Sequence, residues 1–158
     1  MRPLLTDATC HRRAALLGLL VAGLGTALPP ATARAEEPNP VVIAHRGVPV
    51  QQLDGDGVTR LFLKQSTQWP DGRPAEPVDL REGHALRAAF YARVAGRTPA
   101  QVRAYWARQS FTGMALPPRQ LTTPEEVERY VASTPGAVGY VARRPVSPQV
   151  KVIHDSAE

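Results

Sequence analysis

Twice in this chain a threonine and a proline are followed, three residues after the threonine, by a side chain that can accept a hydrogen bond: Thr98-Pro99-Ala100-Gln101 and Thr123-Pro124-Glu125-Glu126. The threonine oxygen accepts from the amide of the third residue, whose side chain accepts in return from the threonine amide. Proline at the first helical position lacks only a donor that would have no partner there. Each opening therefore fixes a helix start. Behind the first, Val102, Tyr105 and Trp106 share a face, and behind the second Val127, Tyr130 and Val131 do, with Glu125 well placed at the positive end of the helix. A third helix is expected over residues 54–64, capped by Asp54, stapled by Leu53 and Val58, and turned inward through Val58, Leu61 and Phe62. A fourth spans 84–96, with Leu86, Ala89, Phe90 and Val94 inward and Gly96 as its stop.

Short runs rich in branched apolar residues lie between these helices: VVIAH at 41–45, AEPVDL at 75–80, AVGYVAR at 137–143 and VKVIHD at 150–155. They read as strands, most of them buried. Pro70-Asp71-Gly72 is a turn, and TGMALPPRQLT at 112–122 reads as a proline-rich loop. Strands alternating with helices give an α/β class with some parallel pairing.

The first 35 of the 158 residues stand apart. Arg12 and Arg13 precede the uncharged run AALLGLLVAGLGTAL, and Ala33 and Ala35 supply small residues two apart before Glu36. This is the order of a secretory signal, and the apolar run is short and glycine-rich for a membrane span. Residues 1–35 are thus expected to be removed and 36–158 to form one domain, exported to the periplasm by the general secretory route or, given the arginine pair, the twin-arginine route. Cys10, the only cysteine, would leave with the signal, so disulfides, a thiol nucleophile and cysteine metal ligands drop out together. Four of the 19 basic residues and one of the 14 acids lie in the same segment, which leaves 15 against 13. With so small a charge excess and no basic run interleaved with aromatics, nucleic acid is not an expected partner.

Little in the chain suggests catalysis. No G-x-S-x-G element occurs, and His45, His84 and His154 lack the close spacing of paired metal ligands. The DGDG at 54–57 lacks the acid that would close a calcium loop at its twelfth position, which is Gln65, so capping is the better account. Asp79 and Glu82 are close enough in sequence to act as an acid and base pair, with His84 as a partner, although Arg81 stands between them and loop solvation is the simpler expectation.

The stretch Arg81-Glu82-Gly83-His84-Ala85-Leu86-Arg87 carries the remaining candidate. The first amides of a helix have no internal partners and point outward with the positive end of the dipole, so an oxyanion can be held there by backbone alone. Gly83 would let the anion approach, Ala85 would offer an amide, and Arg81 or Arg87 could add a two-pronged charged contact. Equally, Gly83 could make the turn, His84 cap weakly and the arginines face water.

Five fragments in order, VPVQQLDGDGVTRLFL, WPDG, REGHALRAAFY, YWARQSFTG and PGAVGYV, resemble the substrate-binding protein of phosphate ABC transporters. More narrowly, they resemble short exported proteins carrying one lobe of that type 2 periplasmic binding fold, from about residue 41 to 153. The resemblance implies a twisted mixed sheet flanked by helices, no enzymatic activity and no cofactor. It also implies phosphate or a similar oxyanion at Arg81, Gly83, His84, Ala85 and Arg87, and an ABC permease or other envelope protein as a partner. His84 stands where the family pattern has a serine, and the chain has the length of one lobe where a complete receptor closes two on its ion. The alternative is an interaction or sensory module that kept the fold without the ligand, with exposed apolar residues on the side where a second lobe would sit.

Overall fold

A computed structural model describes residues 38–156. The expected signal segment, 1–35, lies outside the described residues. The elements run β1 (Val41–His45), α1 (Gly55–Phe62), β2 (Glu76–Leu80), α2 (Ala85–Ala95), α3 (Pro99–Phe111), β3 (Arg119–Leu121), α4 (Pro124–Ser133), β4 (Ala137–Val141) and β5 (Val150–Asp155). The five strands form one mixed sheet in the order β3-β2-β4-β1-β5. β2 runs parallel to both β3 and β4, whereas β1 pairs antiparallel with β4 and β5.

The helix starts follow the sequence closely. Thr98 and Thr123 both complete reciprocal capping boxes, and the Asp54 carboxylate accepts from the Gly57 amide at 2.7 Å. α1 is shorter than expected, because Leu63 leaves the helix and Lys64 takes a left-handed conformation at φ 52°. The loop expected at 112–122 ends in a short strand, since residues 119–121 pair along the free edge of β2.

Alternation along β4 shows which helices cover each face. Gly139 faces α4 so closely that a Cβ there would sit 2.4 Å from Val127 Cγ1 and 3.3 Å from Val131 Cγ2. The next residue, Tyr140, points the other way, stacks on Phe90 of α2 at 4.1 Å and meets Phe62 of α1 at 5.7 Å. The sheet is therefore covered by α4 on one face and by α1 and α2 on the other. Val42, Ile43, Val58, Phe62, Val78, Leu80, Val127 and Val138, all buried, fill the layers between.

Two helical faces differ from expectation. On α4, Tyr130 is only half-buried, and Glu128 is buried instead, with Oε1 accepting from the amides of Val146 and Ser147 at 2.8 and 2.9 Å. On α2, Ala89 and Val94 are half-buried while Arg87 and Tyr91 are buried with Leu86 and Phe90. The helix is rolled toward its polar side, and the reason is a carboxylate beneath it.

Candidate functional site

That carboxylate is Asp79, in β2 and 1 % exposed. Its Oδ2 accepts from Arg87 Nε at 2.9 Å and from the Tyr91 hydroxyl at 3.0 Å. Its Oδ1 accepts from the Tyr140 hydroxyl and, at 2.8 Å, from the Leu80 amide. The sequence reading of Asp79 as a solvated loop acid is thus corrected: it is the anchor of a buried polar cluster. Burial opposes the Arg87 charge, but the adjacent carboxylate more than offsets it, so the guanidinium is held more firmly protonated than usual. Burial first, and then the Asp79 charge, push both tyrosines well above the ordinary phenol value, so each stays a neutral donor.

Above this cluster the chain leaves β2 through a turn that needs glycine. Gly83 has φ 84°, a region open to it because it lacks a Cβ. His84 then caps α2 through its ring, with Nδ1 accepting from the Leu86 amide at 3.1 Å. An accepting Nδ1 places the proton of a neutral ring on Nε2. The cap of α2 is therefore an imidazole, and the ring keeps one donor, Nε2.

A pocket of about 220 Å³ opens here, lined by Gly83, His84, Arg87, Ala88, Tyr91, Pro99 and Arg103. Of the residues expected from sequence, Gly83, His84 and Arg87 meet in it. Ala85 opens the helix and is exposed. Arg81 is exposed, is not part of the lining, and donates its amide to the Leu121 carbonyl at 2.9 Å. Arg103 was missed. It comes from α3, and no local pattern links it to the turn at Gly83.

The electrostatics separate this pocket from its neighbours. A recess at the start of α1 is lined by Asp54 and Asp155, and α4 begins with Glu125 and Glu126. A recess beside Trp69 borders the start of α1 through Leu53 and Gly57, but that start is capped by the Asp54 carboxylate and the recess holds one cation, Arg60. By contrast, the first turns of α2 and α3 contain no acid, and residues at both starts line the Gly83 pocket. Two uncompensated dipole ends and two arginines meet in a space below the 300–1,000 Å³ usual for drug-sized ligands.

The other sequence candidates have structural work. His45 Nδ1 accepts from the Gly47 amide at 3.0 Å, and His154 Nδ1 lies 3.0 Å from the Leu53 carbonyl. Among the described residues no cluster of three His, Cys, Asp or Glu side chains could hold a metal. His84 and Asp79 are each occupied elsewhere, so no acid–imidazole pair forms between them.

No protein-family model matches the chain, and no curated protein matches it in sequence. Solved structures do match. They include a putative phosphate ABC transporter substrate-binding protein with bound phosphate from Clostridium perfringens (TM-score 0.56, 18% identity, 73% of this chain and 44% of that one). An ABC-type phosphate transport receptor from Vibrio cholerae matches with TM-score 0.55 and 14% identity over 73% of this chain and 45% of that one. PstS from Borrelia burgdorferi matches with TM-score 0.57 and 10% identity over 73% and 46%. The matched region spans less than half the length of each of these proteins. At such identities the likeness is one of fold, and the fold is that of a single lobe of a type 2 periplasmic binding protein.

Proposed function

We propose that this is an exported binding protein, not an enzyme, that holds phosphate or a similar small oxyanion weakly at the start of α2. The observation that carries the proposal is the meeting of two acid-free helix starts with Arg87 and Arg103 in one small pocket. The anion would take the outward amides of Ala85 and Arg87 and the Nε2 proton of His84. Arg87 supplies a cation already fixed by Asp79. Arg81 lies outside the pocket lining and contributes long-range charge only. Export rests on the signal-like order of residues 1–35, and pairing with an ABC permease on the likeness to transport receptors.

The pocket is bordered by the exposed Gly83, Pro99 and Arg103 and is open to water, which removes most of the electrostatic gain of an enclosed site. The dissociation constant should then be on the order of 1 mM, about −4 kcal/mol. Calorimetry of the protein at low salt, titrated with phosphate, sulfate and acetate, tests this. Binding of the oxyanions should weaken about tenfold in Arg103→Ala and in His84→Ala. His84→Ser, which supplies both a cap and a hydroxyl donor, should match or exceed the parent. Absence of heat with every anion at 10 mM would overturn the proposal.

A further inference from the structure

Three large apolar side chains, Phe111, Met114 and Leu116, are 93, 77 and 70 % exposed. All three lie between the last residue of α3 and the amino end of β3, around a left-handed turn at Gly113 with φ 69°. The Gly83 pocket, in contrast, follows the carboxyl end of the strand paired with β3. Among the described residues, three of the four large exposed apolar side chains, all but Val146, therefore cluster in sequence away from that pocket. The stretch of sequence that carries them is rich in cations, although Arg87 and Arg103 belong to the Gly83 pocket. From Gly83 to Pro124 the sequence has six arginines, no lysine and no acid, while the rest of residues 36–158 has nine basic residues against 13 acids. Arg108 stands one helical turn before Phe111, and Arg119, whose guanidinium lies 5.1 Å from the centre of the Tyr130 ring, follows Leu116 by three residues; both are exposed, and neither forms an ion pair among the described residues.

We infer that the Phe111–Leu116 loop docks this protein on an anionic lipid surface, with the three apolar side chains in the headgroup boundary and Arg108 and Arg119 against lipid phosphates. Separate protruding side chains suit a fluid surface that closes around each of them, whereas a protein partner would need a matching pocket for each. Flanking cations draw such a loop to anionic headgroups and hold it within a Debye length. The inference is independent of anion binding at Gly83, since none of the five residues lines that pocket.

The test places an environment-sensitive fluorophore on Met114→Cys in the full chain with Cys10→Ser, and adds vesicles of phosphatidylcholine alone or with about 30 % phosphatidylglycerol. Emission should be that of water before mixing, shift to the blue and rise with the anionic vesicles only, and revert in 1 M salt. Arg108→Glu with Arg119→Glu should lower the partition coefficient at least tenfold, about the effect of two lost cations at such a surface. Circular dichroism of that variant should be unchanged, because both residues are exposed. No response to either vesicle overturns the inference, as does an equal response to both. A blue emission before vesicles are added would mean that another part of this chain covers the loop, and a shift on concentrating the protein alone would make a second copy the occupant. Either result also overturns it.

Discussion

Replacing Asp79 by asparagine should reveal how much of the fold depends on the polar cluster beneath α2. The carboxylate accepts four hydrogen bonds, from Arg87, Tyr91, Tyr140 and the Leu80 amide, and is 1 % exposed. Asparagine keeps one acceptor oxygen and turns an amide group toward donors that need an acceptor. Arg87, whose side chain is 4 % exposed, is then left as a buried cation without a counter-charge. Breaking a buried pair in this way costs about 3–5 kcal/mol. Arg87→Met should cost less, about 1–3 kcal/mol, because three neutral donors still satisfy the carboxylate. In the double variant no unpaired charge remains, so its cost should fall below the sum of the two by about 2 kcal/mol. Urea unfolding at pH 7 followed by circular dichroism measures all three. With a slope of about 1.5 kcal/mol per molar, Asp79→Asn should lower the midpoint by roughly 2–3 M. Additive costs, or a loss under about 1 kcal/mol for Asp79→Asn, would refute the role assigned to the cluster.

Other outcomes follow from the same packing. Gly139→Ala should destabilise the protein by about 1–3 kcal/mol in the same assay, since the new methyl would overlap Val127 Cγ1 at 2.4 Å and crowd Val78. Stability should decline as pH rises above about 10, because the unfolded chain releases the protons of Tyr91 and Tyr140 there while the folded protein retains them. Both shifts are upward, so the stabilisation is complete below the ordinary phenol value and is lost through the raised one. Tyr140→Phe should flatten that decline in a denaturant midpoint series from pH 8 to 11.5. Thr123→Ala should cost about 1 kcal/mol through loss of the bond from the Glu126 amide, read as a lower thermal midpoint.

The helix starts were legible in the sequence because their determinants lie within four residues of one another. Asp54, Thr98 and Thr123 cap as expected, and Gly96 adopts the left-handed conformation that ends α2. Gly139 could likewise be read as a site of close packing, since a glycine inside a β-branched run has few other uses. The turn at Gly83 and a cap at His84 were also within reach. The acceptor role of Nδ1 was not, because it depends on the ring's orientation over the Leu86 amide.

What the sequence left open is what depends on neighbours remote in the chain. β3 exists because β2 offers a free edge to residues some forty positions later. Arg87 looked like a surface helper for a ligand, but the fold spends its Nε on a carboxylate eight residues earlier and lets Arg103 reach the same pocket from another helix. By itself, the sequence determined where helices begin, which runs become strands and that a glycine turn precedes α2, all through contacts between near neighbours. Tertiary structure alone decided the roll of α2 and the residues sharing its pocket, because the buried charge of Asp79 had to be matched by donors from one helix and a neighbouring strand.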